Sequence, residues 1–139
     1  MKPVVQQDRT GCAIAGVAAL AGQSYRRVKQ AAASLGIHVT DTALWHDTAH
    51  VRRLLEHFGL RASAQRPFER WEKLPDRALL AIKWHVDKTG PAWHWVVFVR
   101  DESGSYVLDP KKALRTHRRT DFGRMKPKWF LLIESAPNA

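Results

Sequence analysis

Cysteine is nearly absent from this sequence, which has a single one, Cys12, among its 139 residues. One cysteine excludes an internal disulfide and a zinc site built from four cysteines. The N-terminus shows no apolar signal region, and no later stretch approaches the about 20 apolar residues that a membrane-spanning helix needs. We therefore expect a cytoplasmic protein with a reduced thiol and no membrane span.

Acidic residues are also scarce, since 13 Asp and Glu face 23 Lys and Arg and give a formal net charge of +10. Such an excess attracts nucleic acids, anionic membranes or acidic partners, although it also keeps many proteins in solution. A basic run lies at residues 111–128, where aromatic side chains that could stack on bases are few. We interpret this run as a solvated loop, or as a binding site for an acidic partner or nucleic acid.

The apolar content indicates a packed globule, because 45% of the residues are hydrophobic and six are tryptophan. A chain of this length forms one domain, residues 1–139. Its most apolar stretch, from Cys12 to Gly22, carries no charge and is rich in alanine. Alanine and leucine favour helices, and apolar residues on every side indicate burial on every side. We predict a buried central helix that begins at Thr10 or Gly11 and ends at Gly22.

Cys12 falls in the first turn of this predicted helix. Free backbone N–H groups and the positive end of the helix dipole stabilise a thiolate at that position. A structural cysteine fits the same position, because free cysteines are often buried. The choice between a nucleophile and a structural residue therefore depends on which side chains surround Cys12 in the fold.

A second feature is the hairpin predicted for residues 92–110, which has two apolar strands around a Ser103-Gly104 turn. His94 begins the first strand and Asp109 ends the second, at similar distances from the turn. In an antiparallel hairpin such residues lie side by side at the open end. An imidazole beside a carboxylate is the arrangement of a general base and its orienting group. Taken alone, His94 fits a core histidine and Asp109 fits a turn residue.

Gln6 lies six residues before Cys12. A side-chain amide at that distance can reach back to the start of the helix and donate a hydrogen bond to an oxyanion. The backbone N–H of Cys12 would be the second donor. Gln7 takes this role if the register is shifted by one residue.

These motifs together resemble a papain-like cysteine peptidase. They are Gln–x5–Cys opening an apolar helix, the strand His–Trp–Val–Val–x–Val, and a later Asp–Pro. More narrowly, they resemble the double-glycine leader-peptidase domains of bacterial bacteriocin-exporting ABC transporters and their stand-alone relatives. The resemblance implies that Cys12 is the nucleophile, His94 the base, Asp109 the orienting carboxylate and Gln6 the oxyanion donor.

By this resemblance the protein is a hydrolase that cuts a peptide or isopeptide bond in a peptide or protein substrate, with no metal or organic cofactor. Two positions depart from the family pattern: Ala13 stands where those domains usually have glycine, and Gly11 where they often have aspartate. The same catalytic residues would serve an acyl transferase or a deamidase, since the cleft selects the acceptor. A non-catalytic module that binds peptide or nucleic acid is the alternative outside enzymology.

Periodicity predicts the remaining elements. Helices are expected at residues 25–35, capped by Ser24, and at 47–57, with a loop or short strand at 37–46 between them. Besides the hairpin, strands are expected at 60–65, 78–84 and 129–133. The segments between them are expected to be a break with a helical turn at 67–75, a polar loop at 86–91 and an irregular segment at 111–127. A frayed tail is expected at 135–139. Helices followed by antiparallel strands predict an α+β fold, papain-like, with the N-terminal helices packed on one side of an antiparallel β-sheet.

Two histidines, His46 and His50, have the spacing of metal ligands on one face of a helix. No third ligand is evident near them in the sequence, and a zinc site needs at least three protein ligands. We therefore expect solvated or rim histidines here, and no metal site.

Overall fold

The central helix, α1, spans Cys12–Ala21 in the computed structural model, which describes residues 1–136. Every residue from Cys12 to Leu20 is buried, as expected for a helix that is apolar on all sides. Gly22 follows with a φ of 66°, a left-handed conformation that glycine adopts without a steric penalty. The predicted buried helix and its end at Gly22 are confirmed.

Three further helices form the rest of the helical layer: α2 (Tyr25–Ser34), α3 (Ala43–His46) and α4 (Ala49–His57). Ser24 caps α2 as predicted, because its side chain accepts the backbone N–H of Arg27. The predicted loop or strand at 37–46 is wrong where it contains α3. None of the helices within residues 1–136 is long and apolar enough to cross a bilayer.

The helix predicted at 47–57 begins two residues later than expected. Asp47 is extended rather than helical, and its Oδ1 accepts the backbone N–H of Ala49 at 2.9 Å. An aspartate that bonds the backbone two residues ahead competes with helical hydrogen bonding, so it stands before the helix and not in it.

The described residues form a seven-stranded antiparallel sheet. Its strands are β1 (Leu60–Ala62), β2 (Arg66–Pro67), β3 (Arg77–Asp87), β4 (Gly90–Asp101), β5 (Gly104–Leu108), β6 (Arg118–Arg119) and β7 (Trp129–Ser135). The strand order is β1-β7-β3-β4-β5-β6, and β2 pairs with β7. The long strands β3 and β4 lie at its centre and carry most of its buried side chains.

Several predicted boundaries differ from the structure. The polar loop expected at 86–91 is shorter than predicted, a turn at residues 88 and 89, because β3 continues to Asp87 and β4 begins at Gly90. The strand predicted at 60–65 ends early, at Ala62, and is followed by the short strand β2. The break predicted at 67–75 does contain a helical turn, a 3-10 turn at Trp71–Lys73. The segment at 111–127 contains β6 and a short helix, α5 (Phe122–Met125). β7 reaches Ser135, so the predicted tail begins too early, and residues 137–139 lie outside the described part.

Strand β4 separates two layers of the core. One face packs against the helices and the opposite face packs against a smaller cluster that includes Met125 of α5. The helix-facing residues of β4 are Trp93, Trp95, Val97 and Val99, and those of the opposite face are Val96 and Phe98. The predicted α+β fold, with the N-terminal helices on one side of an antiparallel sheet, is confirmed.

Candidate active site

Cys12 is the first residue of α1 and is 7% exposed. The preceding residue, Gly11, provides no side-chain hydrogen bond to the helix start. The positive end of the helix dipole therefore reaches Cys12 without a capping side chain in between.

His94 lies in β4 between Cys12 and Asp109. Its Nε2 is 2.8 Å from Oδ1 of Asp109, and the Cys12 side chain lies close enough to act on the charge of the imidazole. Asp109 comes directly after β5, whose register pairs Leu108 with Val97 of β4. The open end of the hairpin thus brings the imidazole and the carboxylate together, and α1 supplies the thiol.

Burial and hydrogen bonding act in opposite directions on the imidazole. Burial disfavours the imidazolium, but hydrogen bonds and charge from Asp109 and Cys12 outweigh it and raise the pKa of His94 to about 9. Burial likewise disfavours the Asp109 carboxylate, yet its contacts with His94, Lys111 and Arg119 lower its pKa to about 2. At neutral pH the pair is therefore an imidazolium beside a carboxylate.

The Asp109 side chain is fully buried, and both of its oxygens have donors. Besides its contact with His94, Oδ1 accepts the backbone N–H of Lys111 at 3.1 Å. Oδ2 accepts Nη1 of Arg119 at 2.9 Å. The other two guanidinium nitrogens of Arg119 donate to Asp121, at 2.7 and 2.9 Å. Arg119 is therefore held between two carboxylates and fixes the orientation of Asp109.

Arg119 is a residue that the sequence analysis missed as part of the site. It stands in a basic run, where one arginine cannot be told from its neighbours. Its position becomes clear only from the pairing of β6 with β5, which places Arg119 opposite Val107, two residues before Asp109. The basic run has no sequence pattern that marks Arg119 as part of the site. The residue reaches the site only because β6 pairs with β5, and the two strands are separated by a long irregular connection.

Gln6 is buried close to the same site, 8% exposed, and its backbone N–H donates to the carbonyl of Pro110 at 2.9 Å. Its side-chain amide donates to the carbonyls of Asp8 and Arg9, at 3.1 and 2.9 Å. The amide oxygen, Oε1, is buried and has no hydrogen-bond partner among the described residues. Both amide hydrogens thus hold the loop before α1, while Gln7 is exposed on the surface.

The same loop explains why glycine precedes Cys12. Asp8 accepts the hydroxyl of Tyr25 at 2.6 Å and the ammonium of Lys29 at 3.1 Å. Tyr25 is buried, and a Cβ at Gly11 would overlap its hydroxyl oxygen. An aspartate at this position, as in the family pattern, would require Tyr25 to move.

The two histidines with metal-ligand spacing have separate carboxylate neighbours. His50 Nε2 is 2.8 Å from Asp41, and His46 Nε2 is 3.3 Å from Asp87. Within residues 1–136 no group of three or more His, Cys, Asp and Glu side chains is arranged to hold a metal ion.

A cavity of about 580 Å³ lies away from this chemistry, at the C-terminal end of α1. Its walls come from the N-terminus, from residues 18–23 and from the far end of β4. Cys12 is at the opposite end of the ten-residue helix, about 15 Å away. We therefore assign the candidate active site to Cys12, His94 and Asp109 and not to this cavity.

The helices on one side of the antiparallel sheet, with a cysteine at the start of the central helix, define a papain-like peptidase fold. A solved structure that shares it is a double-glycine motif protease from an AMS/PCAT transporter, determined in complex with the leader peptide. The similarity covers 97% of this chain and 91% of that one, with a TM-score of 0.63 and 17% sequence identity. It confirms the resemblance at the level of the fold. A scan against family models and a search of curated proteins both find no match.

Proposed function

We propose that this protein is a cysteine peptidase that hydrolyses a peptide or isopeptide bond. The observation that carries the proposal is the hydrogen bond of His94 with the buried Asp109, close to Cys12 at the start of α1. A thiol, an imidazole and a buried carboxylate in this order supply a nucleophile, a base and an orienting group. The pKa of His94, raised to about 9, supports its role as the group that accepts the proton.

In the proposed reaction His94 holds the proton of Cys12, and the thiolate attacks the scissile carbonyl carbon. A C–S bond forms and the carbonyl electrons move onto oxygen, which gives a tetrahedral oxyanion. As the C–N bond breaks, the imidazolium gives its proton to the leaving amine. His94 then deprotonates a water molecule, which attacks the thioester, releases the acid and regenerates Cys12. Asp109 holds the imidazole orientation throughout.

For the oxyanion we propose two donors, the backbone N–H of Cys12 and the side-chain amide of Gln6. Gln6 is buried beside the site, which supports this role. Its amide hydrogens now bond to the loop carbonyls of Asp8 and Arg9. The role therefore requires the side-chain amide of Gln6 to rotate when substrate binds. Because Oε1 has no hydrogen-bond partner among the described residues, this rotation breaks no hydrogen bond to the amide oxygen.

The proposed substrate is a peptide or a protein segment. Support comes from the similar protease, which was solved with a leader peptide bound. Acyl transfer or deamidation through the same residues would differ only in which nucleophile resolves the thioester. Mass spectrometry of the products, with and without an added amine, separates these reactions because each adds a different group to the acyl carbon.

The first test is a digest of a proteome-derived peptide library, read by mass spectrometry. We expect cleavage by the wild type, and a loss of at least about a thousandfold in Cys12→Ala, because the nucleophile is gone. Asp109→Asn should lose less, since the thiol and the imidazole remain. Alkylation of Cys12 by iodoacetamide is the second readout, and it should be fast at neutral pH and slow in His94→Ala. Full activity of Cys12→Ala would refute the proposal.

A further inference from the structure

A strained lysine lies next to the catalytic histidine. Lys83 follows Ile82, the residue that pairs with His94 across β3 and β4. The register shifts after Ile82, and Lys83 has a φ of 54°, in the left-handed region that side chains other than glycine seldom adopt. Such a conformation is strained and is often found at functional sites.

The bulge brings Lys83 close to a second lysine at the catalytic centre. Lys111, Asp109 and Arg119 are all close enough to act on the charge of the Lys83 ammonium group. Burial, followed by the nearness of Lys111, lowers the pKa of Lys83. Two ammonium groups at this separation repel each other unless an anion lies between them.

The nearby carboxylates do not neutralise these lysines. Both oxygens of Asp109 are bonded to other groups, and Asp121 is engaged by Arg119. Within residues 1–136, neither Lys83 nor Lys111 forms an ion pair with a carboxylate. The positive charge beside the catalytic centre is therefore available to a ligand.

A cavity of about 450 Å³ continues from Lys83 away from the catalytic centre. Among the described residues that line it, none is acidic and four are cationic: Lys83, Arg124, Lys126 and Lys128. Trp84 forms an exposed wall, and the ammonium of Lys128 lies 5.0 Å from the centre of its ring. A cavity with this lining suits an anionic group on a chain that also offers apolar contact.

We propose that Lys83, Lys111 and this cationic cavity form a subsite that binds the carboxylate of an Asp or Glu side chain of the peptide substrate. The inference rests on the proposed peptidase function, because Lys83 follows the residue that pairs with His94 and so lies beside the proposed site of cleavage. A peptide fits better than a nucleic acid, since Trp84 is the one aromatic side chain among the described residues of the lining, and single strands are bound by stacking successive bases on several aromatic rings.

The test compares a Lys83→Gln/Lys111→Gln variant with the control Lys2→Gln/Arg70→Gln. The control also removes two positive charges, from exposed residues away from Cys12. The first readout is the ratio of Cys12 alkylation rates by iodoacetate, an anion, and iodoacetamide, which is neutral. In both reagents the thiolate displaces iodide, so the ratio reports the local field. We expect it to fall roughly 3- to 10-fold in the lysine variant only, and less at high salt.

The second readout is the peptide-library digest. We expect the wild type and the control to enrich Asp or Glu at one fixed distance from the cut, and the lysine variant to lose this enrichment while it still cuts other peptides. An unchanged alkylation ratio, or the same acidic preference in the lysine variant, overturns the subsite. Loss of affinity for a single-stranded oligothymidine in the lysine variant, without an acidic preference in the wild type, overturns it in favour of nucleic acid.

These readouts separate the two proposals. If no peptide is cut but the alkylation ratio falls as expected, the peptidase function fails and an anion site at Lys83 and Lys111 stands. If peptides are cut without regard to acidic residues, the peptidase function stands and the acidic subsite fails.

Discussion

The Asp109 carboxylate depends on Arg119 for a charged hydrogen-bond donor. In Arg119→Gln the buried Oδ2 loses its charged donor, and leaving a buried charge under-compensated costs about 3 kcal/mol. The pKa of Asp109, now about 2, should rise, since Arg119 is one of the groups that lower it. We therefore expect a slower reaction and acid unfolding that begins at a higher pH, measured by activity and by circular dichroism.

Arg118→Gln is the matched control for this substitution. Arg118 lies over the ring of Tyr106 and bonds Ser103, and it is not among the groups that bond Asp109 within the described residues. Arg119→Lys, which keeps the charge, should recover part of the activity and move the acid transition back. Equal effects of Arg118→Gln and Arg119→Gln would show that only the total charge matters.

The raised pKa of His94 sets the pH dependence of stability. Because its folded-state pKa of about 9 exceeds the ordinary value of 6.5, the folded protein binds the proton more tightly. The resulting stabilisation is complete below pH 6.5 and is lost as the pH rises through about 9. We expect the free energy of unfolding in urea to fall by roughly 1–3 kcal/mol between pH 6 and pH 9.5. His94→Gln should give a flatter dependence, and the same slope in both proteins would contradict the assignment.

At the level of single residues, sequence reasoning worked where an element boundary fixes the position of a side chain. Cys12 stands where a charge-free helix starts, and the hairpin geometry alone brings His94 to Asp109. It failed for Arg119 and Lys83, which reach the site through a two-residue strand and a bulge. Neither feature has a periodic pattern, because both arise from pairing with distant strands.

The link between α1 and α2 gives a prediction at the level of elements. Gly11→Ala would place a methyl group against the Tyr25 hydroxyl, which is buried and bonded to Asp8. Overpacking of this kind costs about 1–3 kcal/mol. We expect a lower midpoint of urea unfolding and a slower reaction, because the loop before Cys12 has to move.

A double-mutant cycle tests this explanation. Tyr25→Phe removes the hydroxyl, so Gly11→Ala should cost less in the Tyr25→Phe background than in the wild type. Additive costs in the two backgrounds would mean that the methyl group is accommodated elsewhere and that Tyr25 is not the reason for glycine at this position.

The elements themselves were predictable in proportion to their burial. α1 and the buried half of β4 follow directly from their apolar patterns, whereas α3 does not, since four residues give no period to detect. α3 is held by a tertiary contact, the hydrogen bond from Trp95 Nε1 to the Leu44 carbonyl at 2.8 Å. The adjoining ends of β3 and β4, within residues 86–91, were predicted as a loop because backbone pairing, and not side-chain burial, continues the strands there.

At the scale of the whole molecule, the proposed catalytic groups are divided between two layers. Cys12 belongs to the helical layer, while His94 and Asp109 belong to the sheet. The spacing of the layers is set by direct contact of α1 with the sheet at Gly16, where an added Cβ would lie 3.3 Å from Leu79 and 3.7 Å from Val97. The distance from the thiol to the imidazole therefore depends on a contact more than one helical turn from the site.

Gly16→Val should change stability and reactivity together. The larger side chain has to push α1 away from β3 and β4, which costs about 1–3 kcal/mol in overpacking. The same displacement separates Cys12 from His94, so alkylation of Cys12 at neutral pH should slow along with peptide cleavage. Gly123→Ala is the control, because no atom of the described residues lies within 4 Å of a Cβ at Gly123. If Gly16→Val lowered the urea midpoint but left Cys12 as reactive as in the wild type, the two layers would not set the geometry of the catalytic groups.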